Sequence, residues 1–148
     1  LEKKFRLQKV LEFRERRLEQ EKLKLAEMYD KKKEYQQKKK LIIEDIDKTT
    51  KDLYRLKSKG EFQYLLMYEN FIDKCKQMLQ SAEEMINKLQ ENIDVQQGVV
   101  TEALNELKIM EKLKEKHAQN YMMYIKKEEM KFIDELVTSR YNGGNNNV

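Results

Sequence analysis

Two runs of heptad-spaced apolar residues, separated by one short break, constrain this chain more than any other feature. In the first run, position a falls on Leu11, Leu18, Leu25, Lys32, Lys39, Ile46 and Leu53. Position d falls on Leu7, Arg14, Glu21, Met28, Tyr35, Ile42, Thr49 and Leu56. In the second run, Leu65, Ile72, Leu79, Ile86, Ile93, Val100 and Leu107 take a, and Tyr68, Cys75, Ala82, Leu89, Gln96, Ala103 and Met110 take d. A seven-residue repeat sustained over this length keeps one apolar seam facing a partner helix and imposes a left-handed supercoil. The break, Ser58-Lys59-Gly60, is the first reliable stop signal, and the Asn- and Gly-rich end is the second. The sequence therefore predicts helices over residues 5–57 and 61–140, a turn at 58–61 and a disordered tail at 142–148. At 1.5 Å per residue the two helices would run about 80 Å and about 120 Å.

Composition agrees with this reading. The 148 residues contain no proline and only four glycines, and 39% are charged. A sheet protein would draw on more turn residues. Leu, Ile, Val and Phe make up about a quarter of the chain, above the range in which disorder is the default. What fits is helix with its apolar residues confined to one stripe. Such a chain buries a seam rather than a thick core and offers few deep pockets for catalysis.

A break this short can only return the chain alongside itself, so the helices should pair as an antiparallel hairpin. Antiparallel pairing sets a against d, and paired residue numbers then add to a constant. A constant of 121 centres the turn on Gly60-Glu61 and pairs Leu56 with Leu65, Ile46 with Cys75, Met28 with Ile93 and Leu11 with Met110. Slipping by a heptad moves the turn into predicted helix. Lys39 then lies across from Ala82 and Lys32 across from Leu89, where a lysine can pack its methylenes and keep its charge in water. Charge supports self-pairing too. Residues 1–60 carry 20 basic and 12 acidic side chains, a net of +8, whereas residues 61–148 carry 11 and 15, a net of −4. The fold class is thus all-α: a long antiparallel two-helix coiled coil, one hairpin over residues 1–141, with a longer, overhanging second helix. A rod that dimerises along its whole length is the competing architecture.

The overhang is apolar. In this register Lys4 already faces His117, which leaves Ala118–Arg140 beyond the first helix. Tyr121, Met122, Ile125, Phe132, Ile133 and Leu136 recur there at helical spacing. An amphipathic helix with an uncovered face awaits another surface, unless the chain start around Phe5 folds back over it. A second stripe, Tyr64, Phe71, Met78, Met85 and Val99, occupies g positions that are normally charged. Tyrosine and methionine suit adaptable protein contacts, although the stripe could equally widen the seam.

Catalytic chemistry is not visible. His117 and Cys75 are the sole histidine and cysteine, far apart on one helix and both at d positions, so neither a nucleophile–base pair nor a zinc cluster is available. No glycine-rich phosphate loop occurs. The runs Lys31-Lys32-Lys33 and Lys38-Lys39-Lys40 read as a solvated basic face rather than a nucleic-acid site. No apolar run approaches the ~18–20 residues of a membrane span. A lone cysteine fits a reducing compartment, so the expectation is a soluble cytoplasmic protein without cofactor, metal or membrane insertion.

Particular residues suggest a family. The opening Phe5-Arg6-Leu7-Gln8-Lys9-Val10-Leu11, followed by Arg14 and Arg16-Arg17, resembles the start of the flagellar export protein FliJ family. Leu113-Lys114-Glu115-Lys116 and the stretch Lys131–Tyr141, with Ile133-Asp134-Glu135-Leu136 before Arg140-Tyr141, resemble that family's C-terminal part. The resemblance implies a soluble component of a type III export apparatus, associated peripherally with the inner face of the cell membrane. Members act as a stalk whose terminal end enters the hexameric export ATPase FliI and promotes its assembly. They also contact the export-gate protein FlhA and bind escort chaperones that deliver late substrates. Carried onto this chain, the ATPase-ring contacts would be Phe5, Leu7, Arg14, Arg17, Tyr121, Met122, Ile125, Phe132, Ile133 and Leu136. The gate contacts would be Tyr64, Phe71 and Met78. The expected function is a non-enzymatic, monomeric coupling protein. A homodimeric coiled-coil tether without an ATPase partner is the alternative, ahead of a nucleic-acid-binding rod.

Overall fold

The computed structural model describes residues 1–146, with side chains as far as residue 143. It is an all-α hairpin with no strand among the described residues. Helix α1 spans Gln8–Ser58 and helix α2 spans Leu65–Asn146. With no proline to remove a donor, each i→i−4 hydrogen bond can be followed by another, and helices of 51 and 82 residues result. The continuation matters at the end of α2. Where composition predicts a disordered tail, the helix runs through Asn142 and Gly143 to Asn146; residues 147–148 lie outside the described part.

The turn is more elaborate than the predicted four residues. Gly60 takes φ +73° and ends α1 in a Schellman motif, in which Gly60 N donates to the Lys57 carbonyl at 3.2 Å and Glu61 N to the Leu56 carbonyl at 3.0 Å. These bonds satisfy carbonyls that the end of a helix would leave open. A further turn at Gln63-Tyr64 delays α2 to Leu65, with Tyr68 N reaching the Tyr64 carbonyl at 3.1 Å. A side chain at Gly60 would meet nothing within 4 Å, so only the left-handed backbone resists substitution. Gly60→Ala is therefore expected to cost about 1–2 kcal/mol, read as a lower urea midpoint with an unchanged slope.

Chain contacts group into two units, where one continuous hairpin is expected from the sequence. The first comprises Leu1–Leu18 and the chain from Glu102 onward; the second is Glu19–Thr101. In the second unit, the antiparallel sense is fixed by Lys57 facing Glu69 at 3.8 Å, Lys39 facing Glu83 at 3.6 Å, and Gln96 donating to the Glu21 carbonyl at 3.1 Å. Its core holds Leu53, Ile72, Cys75, Ala82, Leu89, Ile93 and the polar Gln96. In the first unit, Arg14 meets Glu106 at 2.6 Å, and Leu11, Leu18, Ala103, Leu107 and Met110 are buried.

Three of the contacts between the helices lie close to the predicted register, whereas Lys57 with Glu69 and Gln96 with Glu21 reach four to five residues along it. Arg14 with Glu106, Lys39 with Glu83 and Lys32 with Gln90 all lie within one residue of it. Between Leu11 and Met110, every a and d residue is buried or half-buried. Leu7 is the exception at the edge. It precedes α1, where no heptad can place it, and it remains exposed. Lys39 packs its stem in the seam while its side chain keeps 38% exposure, which lets the ammonium reach Glu83.

Candidate docking surfaces

Within the first unit, the segment before α1 folds back onto α2. The Phe5 ring lies 5.9 Å from that of His117, and His117 Nε2 lies 3.3 Å from the Lys3 carbonyl oxygen. His117 is thus held by chain-start contacts, half-buried at the d position the heptad assigns it. Beside it, a cavity of about 600 Å³ is floored by Phe5, Ala118, Tyr121, Met122 and Ile125 and edged by Lys3, Lys4 and Lys114. Phe5, Tyr121 and Ile125 are half-buried in consequence. The chain start therefore covers the beginning of the apolar stripe, and only the beginning.

Past Ile125 every described residue is exposed. Met130 at 64%, Phe132 at 61%, Ile133 at 56% and Leu136 at 45% present their side chains to solvent on an intact helix. Sequence reasoning missed Met123, Met130, Val137 and Tyr141, which are also exposed. Their signal was available. Turned at 100° per residue, the apolar positions from Tyr121 to Tyr141, Tyr124 aside, fall within an arc of about 200° that Glu129, Arg140 and Lys126 interrupt, whereas a coiled-coil seam needs a narrow stripe. Of the six residues named from helical spacing only Tyr121 falls at a or d, so the stripe had already left the heptad, and counting the rest of the helix at that period gives its width.

Two predicted contacts are engaged elsewhere. Arg14 and Arg17 both donate to the Glu106 carboxylate, and all three side chains are about two-thirds covered. They serve the helix pairing before they can serve a partner. Leu7, by contrast, is free on the surface.

On the second unit, Tyr64, Phe71 and Met78 are all about half exposed, and Met85 and Val99 are half-buried. Near the turn the stripe is a surface, and farther along it widens the seam. A second cavity of about 560 Å³ opens beside Met78, with Tyr35, Ile42, Ala82 and Met85 as its apolar lining and Lys38 and Lys74 at its edge. The Lys38 ammonium sits 4.8 Å from the centre of the Tyr35 ring. Phe62, Leu66 and Met67 extend the exposed apolar surface around the turn, beyond the residues the sequence pointed to.

Cys75 is buried in the seam, and no group of His, Cys, Asp or Glu suited to a metal ion occurs among the described residues. No helix among them is long and apolar enough to cross a membrane. Comparison with curated proteins and with solved structures finds no match. The family model described as "Flagellar FliJ protein" matches residues 3–146. That match spans both helices, the turn between them and the uncovered end of α2, and the chain belongs to the FliJ family, components of flagellar protein export.

Proposed function

We propose that this chain is a non-enzymatic coupling stalk that docks its terminal end in the hexameric export ATPase and one side against the export gate. The observation that carries the reading is the apolar arc of α2 past Ile125, which none of the described residues covers. An exposed apolar face this wide, even one crossed by Glu129, Arg140 and Lys126, normally marks a protein contact. Its width favours a socket that surrounds the helix over a single neighbouring helix, which would leave half the arc wet. The FliJ family's association with an ATPase ring supplies such a socket. Phe5 and Leu7 stand at the same end, and the Arg14–Arg17–Glu106 cluster stiffens the helix pair behind it.

Stiffness is what the seam contributes to the mechanism. Contacts at the open end are remade as the ring changes state. Tyr64, Phe71 and Met78 would carry the gate contact, with escort chaperones sharing the exposed surfaces and the complex assembling at the cytoplasmic face of the membrane. The test is direct: adding the purified chain to its cognate export ATPase should raise the hydrolysis rate and the fraction of assembled rings. An unchanged rate at saturating chain would refute the reading. For the gate surface, Phe71→Ser with Met78→Ser should change stability by less than about 0.5 kcal/mol, both positions being half exposed. Gate binding should weaken roughly tenfold or more. Lost stability with retained binding would return these residues to the seam.

A further inference from the structure

The cavity beside the chain start differs in kind from the arc past Ile125. Lys114, Ala118, Tyr121 and Ile125 follow one another at spacings of three and four residues and so share one face of α2, with Met122 beside them. The chain start is pinned against this face. The Phe5 ring lies against His117, and the Lys3 carbonyl oxygen faces His117 Nε2. Lys3 and Lys4 are thereby held on the same rim as Lys114. Three ammonium groups border a floor of aromatic and aliphatic carbon, and no carboxylate lines the cavity. None of the three takes part in an ion pair among the described residues. Gln8 gives its amide to Glu12, which lies outside the lining.

We infer that this cavity binds an acidic peptide segment of a partner protein. One apolar side chain of the segment seats on Tyr121, Met122 and Ile125, and flanking carboxylates meet Lys3, Lys4 and Lys114. Charge complementarity selects the occupant. Like charges gathered on one rim repel, and an anion relieves that repulsion. A ligand with a single carboxylate, such as a fatty acid, leaves most of the rim unanswered. Size agrees with a peptide. From Lys114 to Ile125 the helix rises about 16 Å, the span of about five residues of extended chain. The cavity volume of about 600 Å³ falls among those of ligand-sized sites. Such a segment gains on both counts, through burial of its anchor and through charge-assisted hydrogen bonds from the ammonium groups. The inference does not rest on coupling to the ATPase, because the arc past Ile125 has no part in it.

His117 is the sole histidine, so its ring-proton NMR signals report on the cavity directly. The full chain is titrated at low salt with the acetylated, amidated peptide Asp-Asp-Leu-Phe-Asp-Asp. The His117 signals should move and saturate. Replacing the peptide's aspartates by asparagine, or its Leu-Phe by Ser-Ser, should weaken binding at least tenfold. So should Lys3→Gln with Lys4→Gln and Lys114→Gln in the chain, three exposed positions whose substitution leaves the fold intact. Met122→Ser, at a position 57% exposed, tests the apolar floor and should weaken binding severalfold. Raising sodium chloride from about 50 to about 300 mM should weaken binding to the natural chain and have little effect on the glutamine variant. His117 signals that stay still at millimolar peptide would overturn the inference. So would equal binding of the asparagine peptide, or saturable binding of dodecanoate in place of the peptide. ATPase stimulation is read separately. A chain that binds the peptide and fails to stimulate refutes the ring reading alone; one that stimulates and ignores the peptide refutes the cavity's assignment alone.

Discussion

Truncation after Ile125 is expected to remove all stimulation of the export ATPase while leaving the two helices paired. The site of the cut follows from exposure. Tyr121 and Ile125 are half-buried near Phe5, so a shorter chain would lose packing as well as surface. Beyond Ile125 no described side chain is buried, and none of the hydrogen bonds or ion pairs found there reaches the first helix. Removing exposed residues of this kind changes stability by little, within about 0.5 kcal/mol. Hydrolysis should fall to the rate of the ATPase alone, and helicity per remaining residue should hold.

A narrower version separates the apolar arc from mere length. Phe132→Ser with Leu136→Ser keeps the helix and removes two exposed apolar side chains from one side of the arc. Centrally placed aromatic and aliphatic anchors carry most of the energy of a protein contact. Stimulation should therefore fall by at least tenfold in the amount of chain required. Full stimulation by the truncated chain would remove the overhang from the mechanism and leave Phe5, Leu7 and the basic residues around them as the contact.

The seam was legible in the sequence because one physical rule governs it from end to end. Seven-residue spacing, a short turn and opposite net charges sufficed to pair Leu11 with Met110, both buried, and to set Lys39 across from Ala82, one residue from the Glu83 it meets. What escaped were features that depend on local competition. The start of α2 at Leu65 depends on how the Schellman bonds and the Gln63-Tyr64 turn share out backbone donors, and heptad spacing says nothing of that. Helix through Asn142 and Gly143 runs against residue propensity. The arc past Ile125 follows the 3.6-residue period, and the narrow stripe Phe132, Ile133 and Leu136 covers only part of it, with Met130, Val137 and Tyr141 on its far side. Arg14 and Arg17 show the same limit for function. The resemblance carried a partner contact onto them, and the structure has Glu106 holding both.

Ile93→Ala should be the most damaging single apolar truncation in the seam, costing about 3 kcal/mol and lowering the melting temperature by roughly 10 °C. Among the described residues, Ile93 is the one large side chain with no exposure at all. In a two-helix pairing that is unusual, because each seam residue has open flanks rather than a surrounding core. Here the flank is closed by polar side chains one turn to either side. Lys32 donates to Gln90, and Gln97 donates to the Tyr29 hydroxyl, so both hydrogen bonds run from helix to helix beside Ile93. Held in place by these bonds, the helices cannot close fully on the cavity that alanine would leave, and the transfer loss is joined by a cavity cost. Against a total stability of about 5–15 kcal/mol for a domain, such a loss is large. Ile109→Ala is the matched control. Ile109 is 59% exposed, so its truncation should shift the urea midpoint little. Equal effects at the two positions would mean that the flanking hydrogen bonds do not seal the seam.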